Sequence, residues 1–330
     1  MTGLATAGVF RPNRALPLLR GCLLISGVAS LAWCALWLST GETFAIVRFA
    51  LYLAPLLIVG WLVLAGAAAL LGRPFPAIFH VLAALLIYSA LPPTLTRSAV
   101  AAASEPAAIS VTTLSNRTRN RDMAATAEAI RRRPADVVIL QEVADPAGLT
   151  VALRGLFKPD ALPSACNRGT YLIVSRHPLG PPDPASSNAW MTCPIDLPSG
   201  RALVASVHLP KPWGRGADQI AAASELLQIL RKTNMPTIVA GDFNATPLTE
   251  TLRGFSADFV NAFDKVGAGV GFTFPTPARR LGTFGPFLRI DHIYHSGHFR
   301  PVAAEVGGWH PPGADHFPLT VTLSPRSVGN

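Results

Sequence analysis

The chain is 330 residues long, 50% hydrophobic and 14% charged, with 28 basic and 19 acidic side chains for a formal net charge of +9. Ordinary soluble domains carry roughly 25% charged residues. With a mean hydropathy of +0.36, the composition excludes a disordered, collagen-like or coiled-coil chain and points to a membrane protein, or to a soluble domain averaged with membrane segments. Four cysteines are too few for a small disulfide scaffold.

The composition breaks near residue 100. Before it stand six basic residues against the single acid Glu42, a net +5; beyond it 22 basic and 18 acidic residues leave +4. Residues 1–92 are expected to form a membrane anchor with three transmembrane helices, near 21–39, 49–71 and 75–91, on the apolar runs Cys22–Leu38, Phe49–Leu71 and Phe75–Leu91. About 20 apolar residues cross a bilayer, so the third run, which contains His80, is short. Arg11, Arg14 and Arg20 precede the first run, and Arg73 lies between the second and third. Positive-inside logic then places the N-terminus in the cytoplasm; three crossings place the rest of the chain outside it, and a third run that is instead an interfacial or re-entrant helix leaves the rest cytoplasmic. Residues 93–108, rich in Pro, Ala and Ser, read as a linker.

Residues 109–330 alternate strand and helix patterns, as expected of one α/β domain. Strands are expected at 109–114, 136–140, 171–175, 190–195, 202–208, 237–240, 289–294 and 317–323. Helices are expected at 122–133, capped by Asp122, and at 217–231, with Ile220, Ala223, Leu227 and Leu230 on one face. Polar residues gather where strands end: Glu142, His208, Asp242 with Asn244, Asp291, and Asp315 with His316. Strand ends are where α/β domains assemble ligand sites.

Glu142, Asp242, Asp315 and Asn116 supply hard oxygen donors, which suit Mg²⁺ or Mn²⁺ better than zinc. No GxxxxGK[ST] loop and no GxSxG elbow occurs. Carboxylates, a divalent ion and histidines suit hydrolysis of a phosphate ester. Cys166 and Cys193 could pair in an oxidising compartment or remain two buried thiols.

The motifs QEV (141–143), SRHPL (175–179), VHLP (207–210), AGDFNATP (240–247), RIDHI (289–293) and ADHFP (314–318) occur in the order of the endonuclease/exonuclease/phosphatase family, which this chain resembles over about 109–325. The N-terminal spans are similar to those of its membrane-attached bacterial branch. The resemblance implies a four-layer α/β sandwich, two central mixed β-sheets flanked by helices, preceded by the three transmembrane helices. It implies catalytic roles for Asp242, which orients or deprotonates the attacking water, and for Asn244, His208, His316 and Asp291. Glu142, Asn116 and Asp315 are implied as the metal site, with Mg²⁺ or Mn²⁺ as cofactor. Thr118 stands where abasic endonucleases carry an acid, with Asn120 as a substitute or a loop residue. The basic run Asn116–Arg121 is either a phosphate groove or a solvated loop, and Trp213 with Phe284–Phe287 either an apolar rim or loop packing.

The expected activity is a membrane-anchored, metal-dependent phosphodiesterase of the bacterial inner membrane, its catalytic domain periplasmic. Its expected partners are a nucleic acid or phospholipid headgroup as substrate and membrane lipid around the anchor, with no obligate protein partner. A catalytically silent membrane-tethered scaffold on the same fold is the alternative.

Overall fold

The structure, a computed structural model, describes residues 15–94, 97 and 107–326. Most of the expected linker, 93–108, lies outside them. The chain divides into two compact units, Met1–Ala50 with Ala54–Ala90, and Leu51–Leu53 with Leu91–Asn330.

The helices of the N-terminal third are α1 (Ala15–Thr40), α2 (Ala45–Tyr52), α3 (Ala54–Leu70) and α4 (Pro74–Ala90). The expectation of three transmembrane helices is corrected here. Among the described residues only α1, 26 residues long, is both long and apolar enough to cross a bilayer. The second expected span is broken, with α2 and α3 meeting at 86°. Pro55 lies in the first turn of α3, where its ring excludes the carbonyl four residues back and it has no N–H to donate, so a continuous helix through 51–55 is disfavoured. The third, α4, has 17 residues, about three short of a crossing, and ends before Pro92–Pro93. Small residues let α1 and α4 approach: a Cβ on Gly27 would lie 3.3 Å from both Phe79 Cβ and Pro76 Cα. His80 is spent inside this unit, its Nε2 3.2 Å from Ser26 Oγ.

The larger unit runs β1 (Ile109–Ser115), α5 (Met123–Arg132), β2 (Val137–Gln141), α6 (Pro146–Ala152), β3 (Ser164–Arg168), β4 (Tyr171–Ser175), β5 (Trp190–Leu197), β6 (Gly200–His208) and α7 (Pro212–Arg231). It continues with β7 (Thr237–Asp242), α8 (Glu250–Asp258), β8 (Val260–Asn261), α9 (Ala262–Val266), β9 (Asp291–His295), β10 (Phe299–Val306) and β11 (Leu319–Pro325). One sheet has the order β10-β11-β1-β2-β4-β3, the other β5-β6-β7-β9-β8. Both are mixed: β1–β2 and β6–β7 pair in parallel, and the other pairs are antiparallel.

Strand period 2 explains the layering. In β2, Val137 and Ile139 join Ile195, Val204, Ala240 and Ile293 between the sheets. Val138 and Leu140 face the other way, onto Ala127 and Ile130 of α5 and Leu149 of α6. On the far side, Leu226, Leu227 and Leu230 of α7 and Phe255 of α8 cover Val239 and Phe243. Helix, sheet, sheet and helix make the expected four-layer sandwich. A disulfide, Cys166–Cys193, joins β3 of one sheet to β5 of the other.

One glycine fixes the central pair. Gly241 has φ +151, and a Cβ there would lie 2.0 Å from the Val207 carbonyl oxygen of β6. Gly241→Ala is therefore expected to lower stability by about 3 kcal/mol or more. Gly254→Ala on α8, whose Cβ would meet only Leu227 Cδ1 at 3.6 Å, should be neutral or stabilising by up to about 1 kcal/mol. Denaturant midpoints of the two full-length variants check both.

Candidate catalytic cleft

The parallel pairs bring the C-terminal ends of β1, β2, β6 and β7 to one edge, and the antiparallel β9 and β11 begin there. Register does the finer placement. Ser115 pairs with Gln141, so Asn116 and Glu142 leave neighbouring strands together. Asp242 pairs with His208 on one side and Asp291 on the other. Glu142, Asp242, Asn244, Asp315 and His316 line one cleft with Lys211, Phe274 and Leu288.

Asp242 is buried. Its Oδ1 accepts from the Asn244 backbone N–H at 2.8 Å, while its Oδ2 lies 3.8 Å from both His208 Nε2 and His316 Nε2. Burial above all, and the charge of Asp291, raise Asp242 to about 6 against the pull of His316 and His208. Asn244 is held in the left-handed region, φ 46, a conformation that asparagine tolerates better than most residues. Its Nδ2 is spent on the Leu209 carbonyl at 2.9 Å.

His316 donates from Nδ1 to Asp291 Oδ2 at 2.8 Å, and its ring packs 4.8 Å from that of Phe274. Burial opposes its charge, but Asp291 and Asp242, then Asp315, outweigh burial and lift its pKa to about 9. It is thus a cation at neutral pH, with Nε2–H directed toward Asp242. Asp291 is fully buried, and its Oδ1 has no partner among the described residues.

Glu142 also adopts a left-handed φ, 53, so the strand end stores strain where the chemistry would sit. Its Oε2 accepts from Thr118 N at 3.0 Å and Thr118 Oγ1 at 2.9 Å, and its Oε1 lies 3.3 Å from His208 Nε2. Burial works to raise its pKa, but the Thr118 bonds and the His208 and Lys211 charges more than offset it. Thr118, in place of an acid, thus holds Glu142 ionised.

The other two expected metal ligands are differently engaged. Asp315 Oδ2 accepts from Arg279 Nε at 2.6 Å, with Arg117 Nε 4.0 Å away. Asn116 Oδ1 accepts from Asn120 Nδ2 and Thr126 Oγ1, and its buried Nδ2 is without a partner among the described residues. Asn120 therefore orients Asn116.

Asp242, Asp291 and His316 each place a ligand atom within 4.8 Å of the others, a set that could hold an ion only with His316 giving up its proton. The three acceptor-only carboxylates of the cleft, Glu142 foremost, are the hard oxygen set that fits Mg²⁺ or Mn²⁺.

Lys211 and Phe274, which line the cleft, and Arg279, which bonds Asp315, were not anticipated, whereas Arg117 and Thr118 belong to the basic run weighed as a phosphate groove and reach Asp315 and Glu142. Lys211 could have been found from its place just after VHLP. Arg279 could not, since nothing in the local sequence ties it to Asp315. His292 of RIDH is structural: Nε2 lies 3.0 Å from the Ala245 carbonyl oxygen, and burial lowers its pKa to about 3. Tyr171 is buried on β4 with its hydroxyl on the Asn188 carbonyl. Trp213 belongs to α7, but its side chain lies outside the described residues.

A family profile described as "Endonuclease/Exonuclease/phosphatase family" matches residues 111–316. No curated protein matches the chain. Among solved structures, the human nocturnin catalytic domain with bound sulfate anion is 19% identical, covering 72% of this chain and 100% of that one, with a TM-score of 0.51. D. rerio TDP2 complexed with single strand DNA product is 15% identical, covering 66% and 100%, with a TM-score of 0.52. A mannosyl-6-phosphatase of Bacteroides thetaiotaomicron is 15% identical, covering 66% and 99%, with a TM-score of 0.50. Likeness at these identities concerns the fold.

The raised pKa of His316 has a defined pH signature. Its stabilising contribution is complete below the ordinary 6.5 and is lost as pH rises through about 9. Asp291→Asn removes the charge that most strongly lifts it, so the His316 ring should titrate lower by about one pH unit or more. Histidine NMR titration of the full-length protein in detergent measures the shift; an unchanged value in the variant would contradict the pairing.

Proposed function

The chain belongs to the endonuclease/exonuclease/phosphatase family, a family of phosphoesterase hydrolases, and from that premise we propose that it is a membrane-anchored, divalent-metal-dependent hydrolase of phosphodiesters. The observation that carries this reading is the buried Asp242 carboxylate, its Oδ2 3.8 Å from each of two imidazoles and in one cleft with Glu142.

Asp242, raised to about 6, is ionised at neutral pH and basic enough to accept a proton from an attacking water. His316, fixed by Asp291 with Nε2–H toward the cleft, donates to a phosphoryl oxygen and carries the positive charge that the transition state needs. His208, beside Glu142 and Asp242, completes the phosphate side. Asn244 positions Asp242 through its backbone N–H, and its own side chain ties the turn to Leu209. Glu142 would hold the cation, with Asp315 and Asn116 on either side. Asp315 joins only by exchanging Arg279, and Asn116 only by turning its amide over. A divalent ion there supplies charge to a developing phosphoryl oxyanion.

Membrane attachment is supported by α1, of spanning length, and by the further apolar helices α3 and α4. An extracytoplasmic catalytic unit is supported by the Cys166–Cys193 disulfide, since such bonds persist in oxidising compartments.

Bis-p-nitrophenyl phosphate hydrolysis by the full-length protein should require Mg²⁺ or Mn²⁺ and stop with EDTA. Asp242→Asn should lower kcat about 10²- to 10⁴-fold, and Glu142→Gln should raise the Mg²⁺ concentration required. Full activity in Asp242→Asn would sink this mechanism.

A further inference from the structure

Among the described residues of the larger unit, the most exposed large apolar side chains lie on the segment leading into β9. Arg280–Phe284 forms one 3-10 turn, a geometry in which residues three apart eclipse one another. Leu281 and Phe284 therefore project from one side, 62% and 90% exposed. The base of the turn packs closely on the preceding segment: a Cβ on Gly282 would lie 1.8 Å from the Thr276 carbonyl oxygen. Two large apolar side chains held out together on a closely packed base mark an interaction surface.

Charge identifies what the surface meets. Arg117 Nη1 donates to the Ala278 carbonyl at 3.3 Å, which brings the Asn116–Arg121 loop alongside the turn. Arg119 and Arg121 on that loop, and Arg280 on the turn, are exposed. An apolar tip with Arg280 on its own turn and an arginine-bearing loop alongside matches an anionic bilayer, with side chains among acyl chains and cations at the phosphates. Single-stranded nucleic acid also takes basic, aromatic surfaces, but through stacking on successive aromatic faces, and Leu281 has none. The tip borders the cleft, because Arg279, just before the turn, reaches Asp315 at 2.6 Å, next to His316. The membrane anchoring proposed above, on α1, would hold a bilayer at high effective concentration.

We propose that the Leu281/Phe284 tip, with Arg280 on its turn and Arg119 and Arg121 on the loop alongside, docks on an anionic bilayer and that the adjoining cleft hydrolyses the phosphodiester of a lipid headgroup. This rests on the phosphoesterase reading above. In the reaction the water oxygen bonds to phosphorus and the P–O bond to the diacylglycerol breaks. One water proton goes to Asp242, and the diacylglycerol oxygen ends protonated.

The test uses the full chain reconstituted in mixed phosphatidylcholine and phosphatidylglycerol vesicles. In Phe284→Trp, the emission gained over wild type should be quenched when the acyl chains are brominated. Leu281→Ser/Phe284→Ser should release glycerol phosphate from phosphatidylglycerol about tenfold more slowly or worse, with bis-p-nitrophenyl phosphate hydrolysis unchanged. Absence of quenching, equal lipid rates in the two proteins, or a loss confined to single-stranded DNA cleavage overturns the proposal. If wild type cleaves the soluble diester but no lipid, the docking proposal fails and the phosphoesterase reading stands. If it cleaves neither, both fail.

Discussion

Two carboxylates, Asp242 and Asp291, are almost wholly withdrawn from water at the edge where the two sheets meet. A buried carboxylate costs several kcal/mol unless it is paired or takes up a proton. His316 lies between them, bonded to one at 2.8 Å and 3.8 Å from the other. Its raised pKa and the modest pKa of Asp242 are two sides of one arrangement: the imidazolium makes the carboxylates tolerable, and the carboxylates keep the imidazole charged. The rest of the cleft follows from this constraint. Gly241 lets β7 press on β6 so that Asp242 sits beside His208, and Phe274 covers the ring of His316.

Around this buried trio the cleft grades toward solvent. Glu142 is kept ionised by Thr118, and Asp315 is neutralised by Arg279. The proposed mechanism separates proton handling from cation holding: Asp242 would take the proton, and Glu142 would offer oxygen to the ion. That Glu142 and Asn244 both hold left-handed backbone fits a site whose geometry is enforced by its frame.

Much of this was legible in the sequence, and the failures have physical causes. Strand β4 is read at both ends because Gly169 and Pro178 punctuate an unbroken apolar run. Helix α7 begins five residues before its apolar face becomes regular, at Pro212, a residue suited to a helix start. The edge strands β3 and β10 were not anticipated. β3 is largely polar, and β10 carries Pro301, which is tolerated only at a sheet edge. The broken second span was missed because a hydropathy window weighs apolar side chains and ignores what Pro55 does to the backbone. In the site, every expected residue leaves a strand end on the same edge, because strand ends are local features. The partners Arg279, Arg117 and Thr118 come from loops whose approach depends on tertiary packing. Composition proved a guide to topology rather than substrate, since more than half of the net charge precedes residue 100.

The central claim is that the inner group moves protons while Glu142 holds the ion. Mn²⁺ titration of the full-length protein followed by electron paramagnetic resonance tests it directly. The account predicts a bound-Mn²⁺ signal that Glu142→Gln weakens about tenfold or more and that His316→Gln leaves in place. Binding untouched by Glu142→Gln, or abolished by His316→Gln, would assign the ion to Asp242, Asp291 and His316 and contradict it.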